Sequence, residues 1–186
     1  MNPWKFLLTL TDPRRPVTMR TMLLVALVSV VVDQLTKLWA VAALDPSGRP
    51  VSVIPNLLAL RLAHNPGAAF SMFSGQVVVL AAVSLVISIA ILVWGWKLPT
   101  AERGMRVALG LVLGGAIGNL IDRIRLRHVI DFIDAHWFWK AHWPTFNIAD
   151  TAVCVGVGLL IWATSRVPTK AGSAAPDCTD RSDARH

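Results

Sequence analysis

The 186-residue chain contains no tyrosine, two cysteines and a single glutamate, Glu102, and charged residues make up only 16% of it. A typical soluble domain has about 25% charged residues, so this chain has too few for the surface of an ordinary soluble fold. Cys154 lies in an apolar run and Cys178 in a polar segment, which excludes a disulfide framework. The hydrophobic fraction of 54% indicates a membrane protein.

Four apolar stretches are long enough to cross a bilayer, which takes about 20 residues in a helix. They cover residues 19–40, 77–96, 105–121 and 148–165. The sequence therefore predicts an all-α polytopic membrane protein with four transmembrane helices. We expect one membrane-embedded domain over residues 1–166, followed by a polar tail at 167–186 with the composition of a disordered segment.

Lysine and arginine are distributed unequally between the two sides of this predicted topology. Eleven lie in the segments on one side or in the first two residues of the spans that follow them, and seven are assigned to the opposite side. The positive-inside rule therefore predicts that both termini are cytoplasmic. Because the basic residues flank apolar runs and do not form one stripe, the net charge of +7 does not indicate a nucleic-acid partner. No stretch before the first span is long enough for a cleavable signal-peptide core, so we expect that span to be retained.

Two longer segments fall on the outer side. Within residues 41–76, the stretch 58–63 alternates, with leucines 58, 60 and 62 on one face and Arg61 on the other, which predicts a strand or hairpin on the membrane surface. Residues 122–147 carry a cluster of tryptophans, which favours contact with the membrane interface. These are Trp137, Trp139 and Trp143.

Four aspartates lie at or near the outer ends of the predicted helices: Asp33, Asp122, Asp131 and Asp150. Ionisable groups at these depths are costly, so a function is the first hypothesis for each. Asp33 has Lys37 one turn later, and Asp122 has Arg123 and Arg125 nearby. The alternative for both aspartates is therefore that they cap helices or form ion pairs. Asp131 and Asp150 lie in apolar surroundings. Their carboxyl groups meet if the third and fourth helices pack together at their outer ends.

Two carboxyl groups that meet in a partly dry site share one proton near neutral pH. The ionised member then takes a proton from water, and the protonated member donates to a carbonyl oxygen under attack. This chemistry needs no cofactor. The outer histidines match no metal-binding motif, so we expect no metal site; they are His64, His128, His136 and His142. Ser71 and Ser74 lack the partners of a catalytic serine.

Four short motifs then occur in the order that is typical of one family. They are DQ at residues 33–34 with Lys37, NPGAAFS at 65–71, GNLIDR at 118–123 with VIDF at 129–132, and FNIAD at 146–150. The chain thus resembles the lipoprotein signal peptidases, also called signal peptidase II, over residues 20–165. The resemblance implies a bacterial inner-membrane enzyme that cuts diacylglyceryl-modified prolipoproteins just before the lipidated cysteine.

The resemblance also implies roles for individual residues. The catalytic pair would be Asp131 and Asp150, near the periplasmic face. The substrate-binding residues would be Asn65, Gly67, Asn119, Arg123 and Asn147, and the supporting residues would be Asp33, Lys37 and Asp122. Residues 49–72 would form a small β-like cradle on the membrane surface. We expect a monomer whose partners are the prolipoprotein and membrane lipids; the alternative is a non-enzymatic subunit that translocates protons or ions.

Overall fold

The computed structural model describes residues 15–67, 75–97, 103–137 and 141–165. It contains four helices, α1 (Arg15–Ala43), α2 (Val77–Lys97), α3 (Arg103–Leu126) and α4 (Ile148–Ser165). It also contains four strands, β1 (Val51–Ile54), β2 (Leu58–Asn65), β3 (Val129–Trp137) and β4 (Ala141–His142). The predicted tail at 167–186, Trp139 and both serines, Ser71 and Ser74, lie outside the described residues.

All four predicted spans are helices that are long and apolar enough to cross a membrane. The helices α1 and α3 extend beyond the predicted bounds, whereas α2 and α4 match them almost to the residue. Large apolar side chains on the outer surface of the bundle stay exposed, among them Leu24, Leu35 and Leu38 of α1 at about 60%. Such a surface is stable when it contacts lipid acyl chains instead of water.

The helix α3 is the centre of the bundle and packs against each of the other three. Its glycines allow this, because a side chain at either of two positions would collide with a neighbouring backbone. A Cβ at Gly114 would lie 2.8 Å from the carbonyl oxygen of Ala26 in α1, and one at Gly115 would overlap the carbonyl oxygen of Ala149 in α4. Small residues thus bring the backbones together where lipid cannot drive association.

The strands β1, β2 and β3 form a small antiparallel sheet that the two-residue β4 extends, in the order β1-β2-β3-β4. The strand predicted at 58–63 is confirmed as part of β2. Its burial differs from the predicted alternation, because Ala59 and Leu62 are the buried residues and Leu58 and Leu60 are only partly covered. A register shift between Leu60 and Ala63 in the pairing with β3 breaks the two-residue period.

The strand β3 was not predicted and corrects the expected organisation of residues 122–147. The helix α3 includes Asp122 and Arg123 and ends at Leu126, after which Arg127 adopts a left-handed conformation with φ of 63°. Its amide donates to the carbonyl of Arg123, as at many helix ends. The next residues are rich in β-branched and aromatic types, which favour a strand. Asp131 therefore lies on a strand and not at a helix end.

Candidate active site

The aspartates of the predicted pair converge where the sheet meets the C-terminal end of α3 and the N-terminal end of α4. Asp131 is almost fully buried and faces Ala63 of β2 in the strand register. Asp150 lies in the first turn of α4 and is partly buried. The side chains of both aspartates line one groove.

Asn147 links the two carboxyl groups. Its Nδ2 donates to Oδ1 of Asp131 at 2.7 Å, and its backbone amide donates to Oδ2 of Asp150 at 3.2 Å. In return, the amide of Asp150 donates to Oδ1 of Asn147 at 2.9 Å. This reciprocal pair is a capping box, in which the residue before the helix and the third residue within it satisfy each other's amides. The orientation of Asp150 is thus fixed by the start of its own helix.

Asn119 of α3 holds the other oxygen of Asp150. Its Nδ2 donates to Oδ1 of Asp150 at 2.8 Å. Its Oδ1 accepts from Nζ of Lys37 at 3.0 Å and from Nδ2 of Asn147 at 3.2 Å. Because an ammonium group can only donate, Lys37 determines which end of the Asn119 amide faces Asp150.

Lys37 lies at the centre of a buried ionic cluster, which Asn119 connects to the aspartate pair. Its Nζ is 2.9 Å from Oδ2 of Asp33 and 2.8 Å from Oδ2 of Asp122, and all three residues are at most 2% exposed. The ion pair considered for Asp33 is therefore present. Asp122 is also in an ion pair, but its partner is Lys37 of α1 and not one of the arginines that follow it in α3.

This cluster also fixes the start of α4. Oδ1 of Asp33 accepts from the amide of Ala149 at 2.9 Å, so α1 supplies a cap to α4. A Cβ at position 118 would lie 2.6 Å from Oδ2 of Asp33, which explains the glycine there. Gln34, to which no site role was assigned from the sequence, donates to Oδ1 of Asp122 at 3.1 Å and to Oδ2 of Asp33 at 3.1 Å. None of the residues in this cluster lines the groove that contains the aspartate pair.

Asn65, at the end of β2, contacts the pair from the sheet side. Its Nδ2 donates to Oδ2 of Asp131 at 2.9 Å, and its Oδ1 accepts from the amide of Gly67 at 2.9 Å. Arg123 reaches toward this turn, with one guanidinium nitrogen 3.5 Å from the carbonyl oxygen of Gly67. Asn65, Asn119 and Arg123 line the groove, whereas Asn147 is fully buried. Asn147 therefore orients the carboxyl groups from behind.

Burial raises the pKa of the Asp131 carboxyl to about 7, and the charge of Asp150 contributes to the same shift. The amides of Asn65 and Asn147 and the charge of Lys37 act in the opposite direction, because each stabilises the carboxylate. Asp131 is thus an acid that holds or releases a proton near neutral pH. This is the property that acid–base catalysis requires.

The groove has a volume of about 800 Å³ and runs from the aspartate pair between α2, α3 and α4. Its walls are mostly apolar, including Ile87 of α2 and Val155 and Val157 of α4, all of which are more than 40% exposed. Within the described residues, α2 and α4 both pack against α3 but make no extensive contact with each other. The groove therefore separates these two helices.

The three histidines whose side chains the structure describes lie outside the groove of the aspartate pair. Nδ1 of His64 lies 3.1 Å from Nε2 of His128 on the surface, and His136 is buried beside Asp134. In the part of the chain that the structure describes, no group of three or more histidine, cysteine, aspartate or glutamate residues is arranged to hold a metal ion.

Comparison with known proteins identifies the family of the chain. The family model described as Signal peptidase (SPase) II matches residues 25–166. The chain belongs to the signal peptidase II family. It is therefore a membrane-embedded peptidase, and the family resemblance inferred from the sequence motifs is confirmed.

The relatives cover most of the chain. A lipoprotein signal peptidase of Syntrophotalea carbinolica is 42% identical over 77% of this chain and 90% of its own length. One from Geobacter metallireducens is 44% identical over 74% of this chain and 85% of its own. A bacterial membrane enzyme solved in meso at 2.3 Å resolution superposes with a TM-score of 0.71 at 32% identity, covering 82% of this chain and 94% of that one.

Proposed function

We propose that this signal peptidase II is an aspartic endopeptidase that removes the signal peptide from diacylglyceryl-modified prolipoproteins by cutting before the lipidated cysteine. The observation that carries the proposal is the bridge through Asn147, which holds the carboxyl groups of Asp131 and Asp150 together at the end of an apolar groove. An apolar groove suits a bilayer-embedded substrate, and a pair of carboxyl groups can supply the base and the acid that hydrolysis uses.

The surroundings of the two acids favour different protonation states. Each carboxyl group accepts two N–H hydrogen bonds, Asp131 from Asn65 and Asn147 and Asp150 from Asn119 and Asn147. Only Asp150 lies in the first turn of a helix, where the helix dipole stabilises negative charge. Asp131 is more deeply buried on a strand, and its pKa is raised to about 7 mainly by this burial. In the resting enzyme we assign the shared proton to Asp131 and the negative charge to Asp150.

The reaction follows from this assignment. Asp150 takes a proton from a water molecule while the oxygen of that water attacks the scissile carbonyl carbon. At the same time, Asp131 gives its proton to the carbonyl oxygen. The tetrahedral intermediate then breaks its C–N bond, and Asp150 returns a proton to the nitrogen of the lipidated cysteine. Asp131 recovers its proton from the hydroxyl group as the new carboxyl group forms. No step requires a cofactor.

The depth of the site suits a substrate that is itself anchored in the bilayer. The apolar walls of the groove match a signal-peptide helix and acyl chains, whereas Asn65 and Arg123 offer donors to the peptide backbone near the aspartates. We place the enzyme in the bacterial inner membrane with both termini cytoplasmic and the aspartate pair near the periplasmic face. The strands β1 to β3 would then lie on the outer membrane surface.

The test compares aspartate variants on one diacylated and one non-lipidated prolipoprotein. Asp131→Asn and Asp150→Asn should each reduce cleavage of the diacylated substrate by at least about 10³-fold, because each removes an acid or a base from the reaction. Asp45→Asn, on the outer loop and away from the groove, is the matched control and should remain active. Thermal unfolding in detergent checks that each variant is folded.

Substantial cleavage by either Asp131→Asn or Asp150→Asn would remove that residue from the catalytic pair. Equal cleavage of both substrates by the wild-type enzyme would contradict the requirement for a lipidated cysteine. A folded wild-type protein that cleaves neither substrate would favour the alternative of proton or ion translocation, which is then measured as a flux across liposomes.

A further inference from the structure

A second, smaller pocket of about 310 Å³ adjoins the groove on the side of the sheet. Its walls come from the end of β2 and from the extended residues 143–145. Four residues line both cavities: Asn65, Trp143, Pro144 and Thr145. The two cavities therefore meet beside Asn65, whose amide donates to Asp131.

The small pocket differs from the groove in its chemistry. It is lined by the basic side chains Arg61 and His64, and no acidic residue is part of its lining. Arg61 is 39% exposed, with its Nε 3.4 Å from Oδ2 of the buried Asp134. Burial and the neighbouring His128 lower the pKa of His64, so His64 is neutral at pH 7 and Arg61 carries the positive charge of the pocket.

The substrate of the proposed function has three arms that meet at the scissile bond. The signal-peptide helix and the diacylglycerol are apolar, so both remain in the groove and the bilayer. The mature polypeptide, which follows the lipidated cysteine, is polar and must leave the aspartate pair toward water. The small pocket is continuous with the site and offers polar walls in that direction.

We infer that the pocket at Arg61 and His64 binds the first residues of the mature chain, and that Arg61 makes it favour an acidic side chain over a basic one directly after the lipidated cysteine. This inference rests on the proposed function. It adds a specificity determinant on the product side of the bond, away from the groove that holds the apolar arms.

The experiment uses three diacylated prolipoprotein peptides that differ only in the residue after the lipidated cysteine, which is Asp, Ser or Lys. With the wild-type enzyme in detergent, kcat/KM for the Asp peptide should exceed that for the Lys peptide by about two- to fivefold, the size expected for a partly exposed ion pair. The difference should appear mainly in KM. It should shrink at 0.5 M salt, because exposed charges are screened.

Two variants and a control locate the source of this preference. Arg61→Gln should reduce the Asp-to-Lys ratio toward one, whereas Arg61→Lys, which keeps the charge beside Asp134, should retain most of it. Arg49→Gln is the control, because Arg49 pairs with Asp45 on an exposed loop outside the pocket. The control should leave the ratio unchanged.

The outcomes separate this inference from the proposed function. Equal cleavage of the three peptides by the wild-type enzyme would overturn the inference and leave the peptidase activity established. Retention of the full preference in folded Arg61→Gln would also overturn it. If Arg61→Gln does not fold, the salt dependence still decides, because a preference that persists unchanged at 0.5 M salt would not come from an exposed charge and would overturn the inference. Failure to cleave any of the peptides would overturn the proposed function itself.

Discussion

At the scale of single residues, the site depends on asparagines as much as on aspartates. Asn119 and Asn147 each use both ends of the amide, one to hold a carboxyl group and one to be held in place. The family resemblance identified these residues, and the i,i+4 spacing identified the ion pair between Asp33 and Lys37. The sequence could not show that Lys37 also contacts Asn119, 82 positions away, because such a contact depends on how α1 packs on α3.

Asp131 makes the stability of the enzyme depend on pH. Its pKa is about 7 in the folded protein and about 3.9 in an unfolded chain, so between these values the folded state binds a proton that the unfolded state has released. Stability contributed by this group is therefore greatest at low pH, falls as pH rises through the window, and levels off above about 7. The melting temperature should fall between pH 5 and pH 8 by more in the wild type than in Asp131→Asn.

Differential scanning calorimetry of the wild type and Asp131→Asn, in the same detergent at pH 5 and pH 8, measures this difference in melting temperature. Groups that do not interact with Asp131 contribute equally to the two proteins and cancel, so the difference reports the aspartate pair. The same pH change in melting temperature for both proteins would show that Asp131 ionises at its ordinary pKa.

At the scale of the elements, the helices were predictable and the strand β3 was not. Apolar runs of about 20 residues are unambiguous because the bilayer sets their length. The nine residues of β3 carry three polar or charged side chains, Asp131, Asp134 and His136, all of which are buried. This obscures the alternation by which a strand is normally recognised. The left-handed conformation of Arg127 is likewise unexpected at a residue other than glycine.

The start of α4 permits a test that separates folding from catalysis. Asn147→Ser keeps an oxygen that can accept the amide of Asp150, whereas Asn147→Ala does not, and an N-cap is worth about 1 kcal/mol. Asn147→Ser should therefore be more stable than Asn147→Ala by about this amount. Both should lose most of their peptidase activity, because neither donates to Asp131 as Nδ2 of Asn147 does.

Chemical denaturation and the diacylated-peptide assay provide the two measurements. Full activity of Asn147→Ser would show that the bridge to Asp131 is dispensable. Equal stability of the two variants would show that the cap contributes little to the start of α4.

At the scale of the whole molecule, the groove can be probed with a cysteine that the chain already contains. Cys154 lies one turn after Asp150, is exposed, and lines the groove. In a Cys178→Ser background, it is the only thiol. An excess of diacylated prolipoprotein peptide should slow its reaction with a lipid-soluble maleimide severalfold, because the occupied groove covers it. The protein also carries Asp131→Asn, which should prevent cleavage, so that the peptide stays intact during labelling.

A matched control places the thiol on the lipid-facing surface of α2. The control protein carries Val86→Cys together with Cys154→Ser and Cys178→Ser. Val86 is 64% exposed and does not line the groove. Its labelling rate should not respond to the peptide. Protection at neither position, with binding shown independently, would mean that the substrate occupies another surface.

The separation between α2 and α4 has a consequence for how a lipid-anchored protein reaches the aspartates. Ile87 and Val155 are exposed on either side of the groove, and both lie within helices that are long and apolar enough to cross a membrane. In a bilayer, the cleft would therefore be open sideways to lipid. Under the proposed function, a prolipoprotein would diffuse within the leaflet and enter laterally without moving its apolar segment into water. The two products would leave by separate routes, the severed helix back into lipid and the new amino terminus along the membrane surface.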